Sequence, residues 1–240
     1  MASGKVETLE GSGQRGRQTD EPADPPIIPV SIPIGGVMLQ GDLHVPQGAP
    51  GVVLFAHGSG SSRHSARNQF VARAIRSAGI GTLLFDLLTL EEEASDARDG
   101  QLRFDISLLA GRLVSTTRWV AARPAAQELG LGYFGASTGG AAALVAAAEL
   151  GTAIDAVVSR GGRPDLAGPA LPRVTSPTLL IVGGHDDVVL QLNEEAFEQL
   201  HCPKELAIVP GATHLFEEPG ALEKVASMAA AWFRCHLKPR

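Results

Sequence analysis

Residues 135–139, Gly-Ala-Ser-Thr-Gly, set a serine between two glycines, after the short apolar run 131–134 and before an alanine-rich stretch. A serine that carries a strand into a helix through a tight turn crowds its neighbours, so the residues two before and two after it must be glycine-small. The helix expected over 138–150 would aim its first amides and its positive dipole end at the point where an oxyanion develops. Ser137 in that setting is a candidate nucleophile for covalent acyl chemistry.

A serine hydroxyl needs a base within hydrogen-bond reach, and the base needs a carboxylate that fixes its tautomer. Two later loops offer both. Gly183-Gly184-His185-Asp186-Asp187 follows the apolar run 178–182, and Pro210-Gly211-Ala212-Thr213-His214 follows the run 206–209. His214 is the candidate base and Asp186 or Asp187 the candidate acid, the other aspartate being placed to cap the helix that follows. His57, next to Gly58, is better suited to bracing its own loop, and His64, His185, His201 and His236 read as surface or supporting residues.

Arginines crowd the same region of the sequence pattern. Arg63 and Arg67 follow the loop after the run 51–57, and Arg160 and Arg163 follow the run 156–159. Guanidinium groups read carboxylates and phosphates through two parallel bonds, so Arg63, Arg160 and Arg163 are candidates for binding an anionic ester. The alternative is a loop tie, with Arg160 paired to Asp165 or Asp187.

Positioning these groups takes a particular arrangement of elements. A hairpin is expected over 33–46, broken at Gly35-Gly36, and buried strands over 51–57, 81–88, 131–134, 156–159, 178–182 and 206–209. Helical patterns fall over 65–78, 105–122, 138–150, 189–200 and 219–237, giving an α/β alternation: a mostly parallel sheet covered on both faces, with an antiparallel N-terminal hairpin. Ligands collect at the carboxyl ends of strands in such sheets, where Ser137, His57, the 183–187 and 211–214 loops and the four arginines fall. The acidic stretch 91–99 reads as a solvated loop or helix face, since a run of carboxylates does not converge on a metal.

Composition narrows the function classes. The 240 residues are 44% hydrophobic and 19% charged, which suits one globular domain over 30–240. A net charge of -6 argues against a nucleic-acid partner. Cys202 and Cys235 have neither zinc-ligand nor C-x-x-C spacing, so no metal or cofactor is expected and a reducing cytoplasm suits the chain. Residues 1–29 are polar and aperiodic, a disordered tail without the apolar core of a signal peptide, and no run is long enough to span a membrane.

The segments 52–68 (VVLFAHGSGSSRHSARN), 131–144 (LGYFGASTGGAAAL), 160–168 (RGGRPDLAG), 177–189 (PTLLIVGGHDDVV) and 209–220 (VPGATHLFEEPG) together resemble the α/β-hydrolase superfamily. The order Ser, Asp, His along the chain is that of the superfamily. More narrowly they resemble its dienelactone-hydrolase-like group, including a bacterial branch also found fused to phosphoribosyltransferase domains. The resemblance implies Asp186 as the acid, and an oxyanion hole made by the amides of Thr138 and of Ser59, which stands in the H-G-x position of the fold. Dienelactone hydrolases proper carry cysteine where this chain has Ser137, so the resemblance implies a serine esterase, with thioesterase, lactonase, peptidase or a non-catalytic binding protein as alternatives. Only short connecting sequence lies between Arg160 and Pro177, so no large cap domain is expected and the cleft should be open.

Overall fold

The computed structural model describes residues 25–240. Strands β1 (Ile28–Ile34) and β2 (Val37–His44) form the hairpin, and β3 (Gly51–Ala56), β4 (Gly81–Phe85), β5 (Gly130–Ala136), β6 (Ala156–Arg160), β7 (Thr178–Gly183) and β8 (Lys204–Val209) follow. They make one eight-stranded sheet in the order β1-β2-β4-β3-β5-β6-β7-β8. The pairs β1–β2 and β2–β4 are antiparallel, and every pair from β4 to β8 is parallel. Strand β1 begins at Ile28, two residues inside the expected tail; residues 1–24 of that tail lie outside the described residues.

Helices α1 (Ala66–Ser77), α2 (Leu90–Asp99), α3 (Ile106–Ala121), α4 (Thr138–Leu150), α5 (Asp187–Gln199) and α6 (Ala221–His236) cover the sheet. Side chains alternate across a strand, and the core divides accordingly. From β3, Val52 and Leu54 join Leu113, Val114 and Leu144 on the face covered by α3 and α4, while Val53 and Phe55 join Val71, Ile75, Val225 and Phe233 on the α1 and α6 face. Burial on both faces is why these strands read as continuous apolar runs rather than alternating ones.

Helix α4 is buried along most of its length, Thr138 to Leu144 included. Its alanines and glycines let it lie close under the sheet. A Cβ at Gly139 would stand 2.0 Å from the Ala56 carbonyl oxygen, and one at Gly135 would stand 2.5 Å from that of Gly139. No side chain larger than hydrogen fits, which is the packing reason for both glycines around Ser137.

The acidic stretch takes the helical one of its two expected forms, but it is less solvated than expected. It forms α2, opened by a capping box in which the Thr89 hydroxyl accepts from the Glu92 amide and the Glu92 carboxylate accepts from the Thr89 amide. Two of its carboxylates are tied rather than solvated. Glu92 takes two 2.5 Å bonds from Arg112, whose guanidinium also donates to the Leu87 carbonyl, and Asp96 accepts from Arg103 Nε and from the amides of Leu102 and Arg103. The segment 90–104 is thus a clamped wall beside the carboxyl edge of the sheet. Between β6 and β7, Pro164–Arg173 forms only short 3-10 turns with a break at Gly168, in keeping with the absence of a large cap there.

Candidate active site

Ser137 occupies the junction of β5 and α4 with φ 52° and ψ -122°, a backbone conformation that costs a non-glycine residue of order 1–3 kcal/mol. Its surroundings hold it there. The Ser137 amide donates to the Arg160 carbonyl at 3.3 Å, and its carbonyl accepts from Gly140 at 3.0 Å and Arg163 at 3.1 Å. The turn is therefore stitched to the end of β6, and the half-buried side chain sits at the carboxyl edge of the sheet.

The two later loops are built on each other. The amides of Gly184 and His185 donate to the carbonyls of Val209 and Ala212, each at 2.9 Å, and a Cβ at Gly183 would meet the Ala212 carbonyl oxygen at 2.4 Å. That close contact brings the carboxylate of Asp186 to Nδ1 of His214 at 2.7 Å. An ionised carboxylate only accepts, so Nδ1 carries the proton and Nε2 keeps its lone pair. Asp187 is the exposed first residue of α5; of the two aspartates, Asp186 is the one that meets the histidine. The N-cap position of α5 is held by Asp186 rather than Asp187, and the Asp186 side chain makes no cap bond.

His214 rests on a strained turn. Phe216, two residues on and almost fully buried, has φ 56°, and its amide donates to the Thr213 carbonyl at 3.2 Å. The Thr213 hydroxyl donates to Glu218 at 2.6 Å, closing the turn from its other side. Gly161, at φ 51°, lies under the imidazole: a Cβ there would be 3.6 Å from His214 Cε1 and 3.3 Å from its carbonyl oxygen.

His57 braces the loop after β3, as expected. The Leu87 amide donates to Nε2 at 3.0 Å, which leaves Nδ1 to donate to the Gly58 carbonyl at 3.0 Å. Burial holds its pKa below the usual 6.5, against smaller opposing effects of the Gly58 carbonyl and Asp86. Ser59 in this loop and Thr138 at the start of α4 both line a cleft of about 620 Å³. As the first helical residue, Thr138 has an amide without a partner inside α4. Glu93, Asp96 and Arg103 from the segment 90–104 form part of the cleft's wall, a contribution hidden in the sequence by the distance of that segment from the Ser, Asp and His motifs.

The three arginines separate. Arg63 is committed to Asp86, through its backbone amide at 2.8 Å and its guanidinium, with Asp42 at 3.6 Å; it anchors the loop after β3 to β2 and β4. Arg163 makes a two-pronged pair with Asp165 at 2.9 and 2.7 Å. Arg160, the residue expected to pair with Asp165 or Asp187 if it was a loop tie, has neither as a partner and is 7% exposed. Among the described residues no group of three His, Cys, Asp or Glu side chains is placed to hold a metal.

Residues 39–236 match the model of the dienelactone hydrolase family. The chain belongs to that family. The crystal structure of a dienelactone hydrolase from Anabaena variabilis is 59% identical, covers 90% of this chain and 100% of its own, and superposes with a TM-score of 0.88. Two Mycobacterium tuberculosis proteins, from strains CDC 1551 / Oshkosh and H37Rv, are each provisionally named a phosphoribosyl transferase and are 56% identical over 220 residues. That match takes in 91% of this chain but 49% of theirs, so the chain spans about half the length of these relatives. Est1E from Butyrivibrio proteoclasticus, 15% identical with a TM-score of 0.72 over 86% of this chain and 97% of its own, shares the fold. The molecule is a dienelactone-hydrolase-like α/β hydrolase, and no helix among its described residues is long and apolar enough to cross a membrane.

Proposed function

We propose that this chain is a serine hydrolase that cleaves a small carboxylic ester, one bearing an anionic group, through an acyl-enzyme on Ser137. The observation that carries the reading is the 2.7 Å contact between Asp186 and His214 Nδ1, on a loop pair packed at the same sheet edge as the strained Ser137 turn. In the first step Ser137 Oγ attacks the ester carbonyl while His214 Nε2 takes its proton, and the amides of Ser59 and Thr138 hold the oxyanion. His214 then gives the proton to the departing alcohol, and water, activated by the same imidazole, releases the acid. Asp186 keeps the tautomer and supports the imidazolium throughout.

Arg160 is the residue of the three arginines that supports an anionic substrate, because its guanidinium is the one without a carboxylate partner among the described residues. The Anabaena relative is named for a dienelactone, and a lactone is an internal ester that the same steps would open. The phosphoribosyl transferase name belongs to proteins about twice this length, and the Ser-His-Asp set suits acyl rather than phosphoribosyl transfer. A cytoplasmic setting, with Cys202 and Cys235 both free thiols, belongs to the same proposal. The test is a panel of neutral esters, anionic esters, lactones, thioesters and peptides. Highest kcat/KM on an anionic ester supports the reading, and a flat or neutral preference, or turnover of peptides alone, contradicts it.

A further inference from the structure

Among the described residues Arg160 is a buried cation without a counter-ion. Its Nε has no hydrogen-bond partner, and among the described residues no carboxylate pairs with it. The Phe216 ring lies beside its guanidinium, with Cζ 5.7 Å from the ring centroid, and a second cation, Arg67, reaches Glu217, the residue next to Phe216, at 3.2 Å. Burial, and then the repulsion from Arg67, pull its pKa from the usual guanidinium range down to about 10. Taking an unpaired ion out of water is costly, and an aromatic face returns only part of that cost. The site is therefore short of negative charge.

Arg67 connects this charge to the cleft. Its pairing with Glu217, 3.2 Å between side chains 36% and 65% exposed, is a weak, solvent-screened one, so the guanidinium can turn toward a ligand at little cost. Arg67 stands in the first turn of α1, which opens on the same cleft; the Ser65 N-cap makes no side-chain cap bond and no acidic residue occupies that turn. Thr138, 2% exposed, lines the same cleft with a hydroxyl that has no partner. Of the acids on the facing wall, Asp96 is held by Arg103, and burial with the nearby Asp86 raises the pKa of Glu93, opposing its charge.

We propose that Arg67, Arg160 and the open end of α1 form a subsite for a phosphate monoester, so that the substrate is a carboxylic ester carrying a phosphate group. The proposal rests on the serine-hydrolase reading above and names its anion. A carboxylate offers one charge and two oxygens, whereas a phosphate monoester offers nearly two charges and three oxygens, matching two guanidinium forks and a set of helix-end amides. The phosphate is a handle and is not cleaved. The acyl C–O bond breaks, water supplies the hydroxyl of the acid and the proton of the alcohol, and the phosphate leaves with whichever product carries it.

The test is calorimetric titration of the full chain with methyl phosphate and with acetate, joined to inhibition of neutral p-nitrophenyl acetate hydrolysis. Methyl phosphate should bind at least about tenfold more tightly than acetate and compete with the neutral ester, and Arg160→Met and Arg67→Gln should each weaken it about tenfold. Should Arg160→Met fail to fold by circular dichroism, Arg67→Gln decides, since its side chain is already part-exposed. Acetate binding as tightly as methyl phosphate, binding that does not compete with the ester, or undiminished binding to Arg67→Gln overturns the subsite. Failure of the serine-hydrolase reading would register separately, as no ester turnover by a protein whose phosphate binding is measured directly.

Discussion

The carboxylate of Asp186 reaches Nδ1 of His214 at 2.7 Å across 28 residues of sequence, whereas its neighbour Asp187 turns outward at the start of α5. The contact exists because the loops after β7 and β8 are joined by backbone bonds from Gly184 and His185. Asp186→Asn should keep the fold and invert the tautomer preference of His214, lowering kcat by about 10³–10⁴-fold. Asp187→Asn should stay within about threefold of the parent, as substitutions away from a reacting group do. Steady-state kinetics on one reporter ester checks both; equal losses would contradict the assignment.

Gly139 is a second sharp case. Its alanine variant must push a methyl into the Ala56 backbone, where no flexible side chain can yield, so a loss of about 3 kcal/mol or more is expected. Gly111, in the middle of α3 with nothing within 4 Å of a built Cβ, is the contrasting position. Gly111→Ala should raise stability by up to about 1 kcal/mol. Urea unfolding of the two variants measures the difference.

The Ser137 turn, the loops of Asp186 and His214 and the alternation of the sheet were legible because each is local: an apolar run, then glycines, then one polar residue at a strand's carboxyl end. The choice of Asp186 over Asp187 was legible only through the family resemblance, because adjacent residues share that local context and it is the packing of Gly183 on Ala212 that separates them. Arg63 and Arg163 could not be told from Arg160 by position. Asp42 and Asp86, which hold Arg63, lie on β2 and just past β4, so the pairing is a product of strand order. Helix α2 did leave a signal, Thr89-Leu90-Glu91-Glu92 being a capping-box pattern, but its acidic run masked it.

His57 gives the fold a pH dependence. Its folded pKa lies below the 6.5 expected of the unfolded chain, so the unfolded state binds the extra proton first. The contribution is fully present above pH 6.5 and is lost as pH falls from there through the folded value. Chemical denaturation between pH 7.5 and about 5 should show stability falling with acid, with a smaller slope in His57→Gln.

The wall made by α2 depends on Arg112, whose side chain is 7% exposed and holds both Glu92 and the Leu87 carbonyl. Arg112→Ala leaves Glu92 without its counter-ion and that carbonyl without its guanidinium donor, so a loss of about 3 kcal/mol is expected. Because Leu87 also donates to His57, the same change should lower kcat/KM as well as the midpoint of unfolding.

The most direct test of the central claim, that Ser137 is an activated nucleophile, is mass-spectrometric mapping of covalent labelling by a fluorophosphonate probe. A stoichiometric adduct on Ser137, abolished by Ser137→Ala and strongly slowed by His214→Ala and Asp186→Asn, is the predicted result. No adduct on folded protein, or an adduct on another residue, would contradict the account.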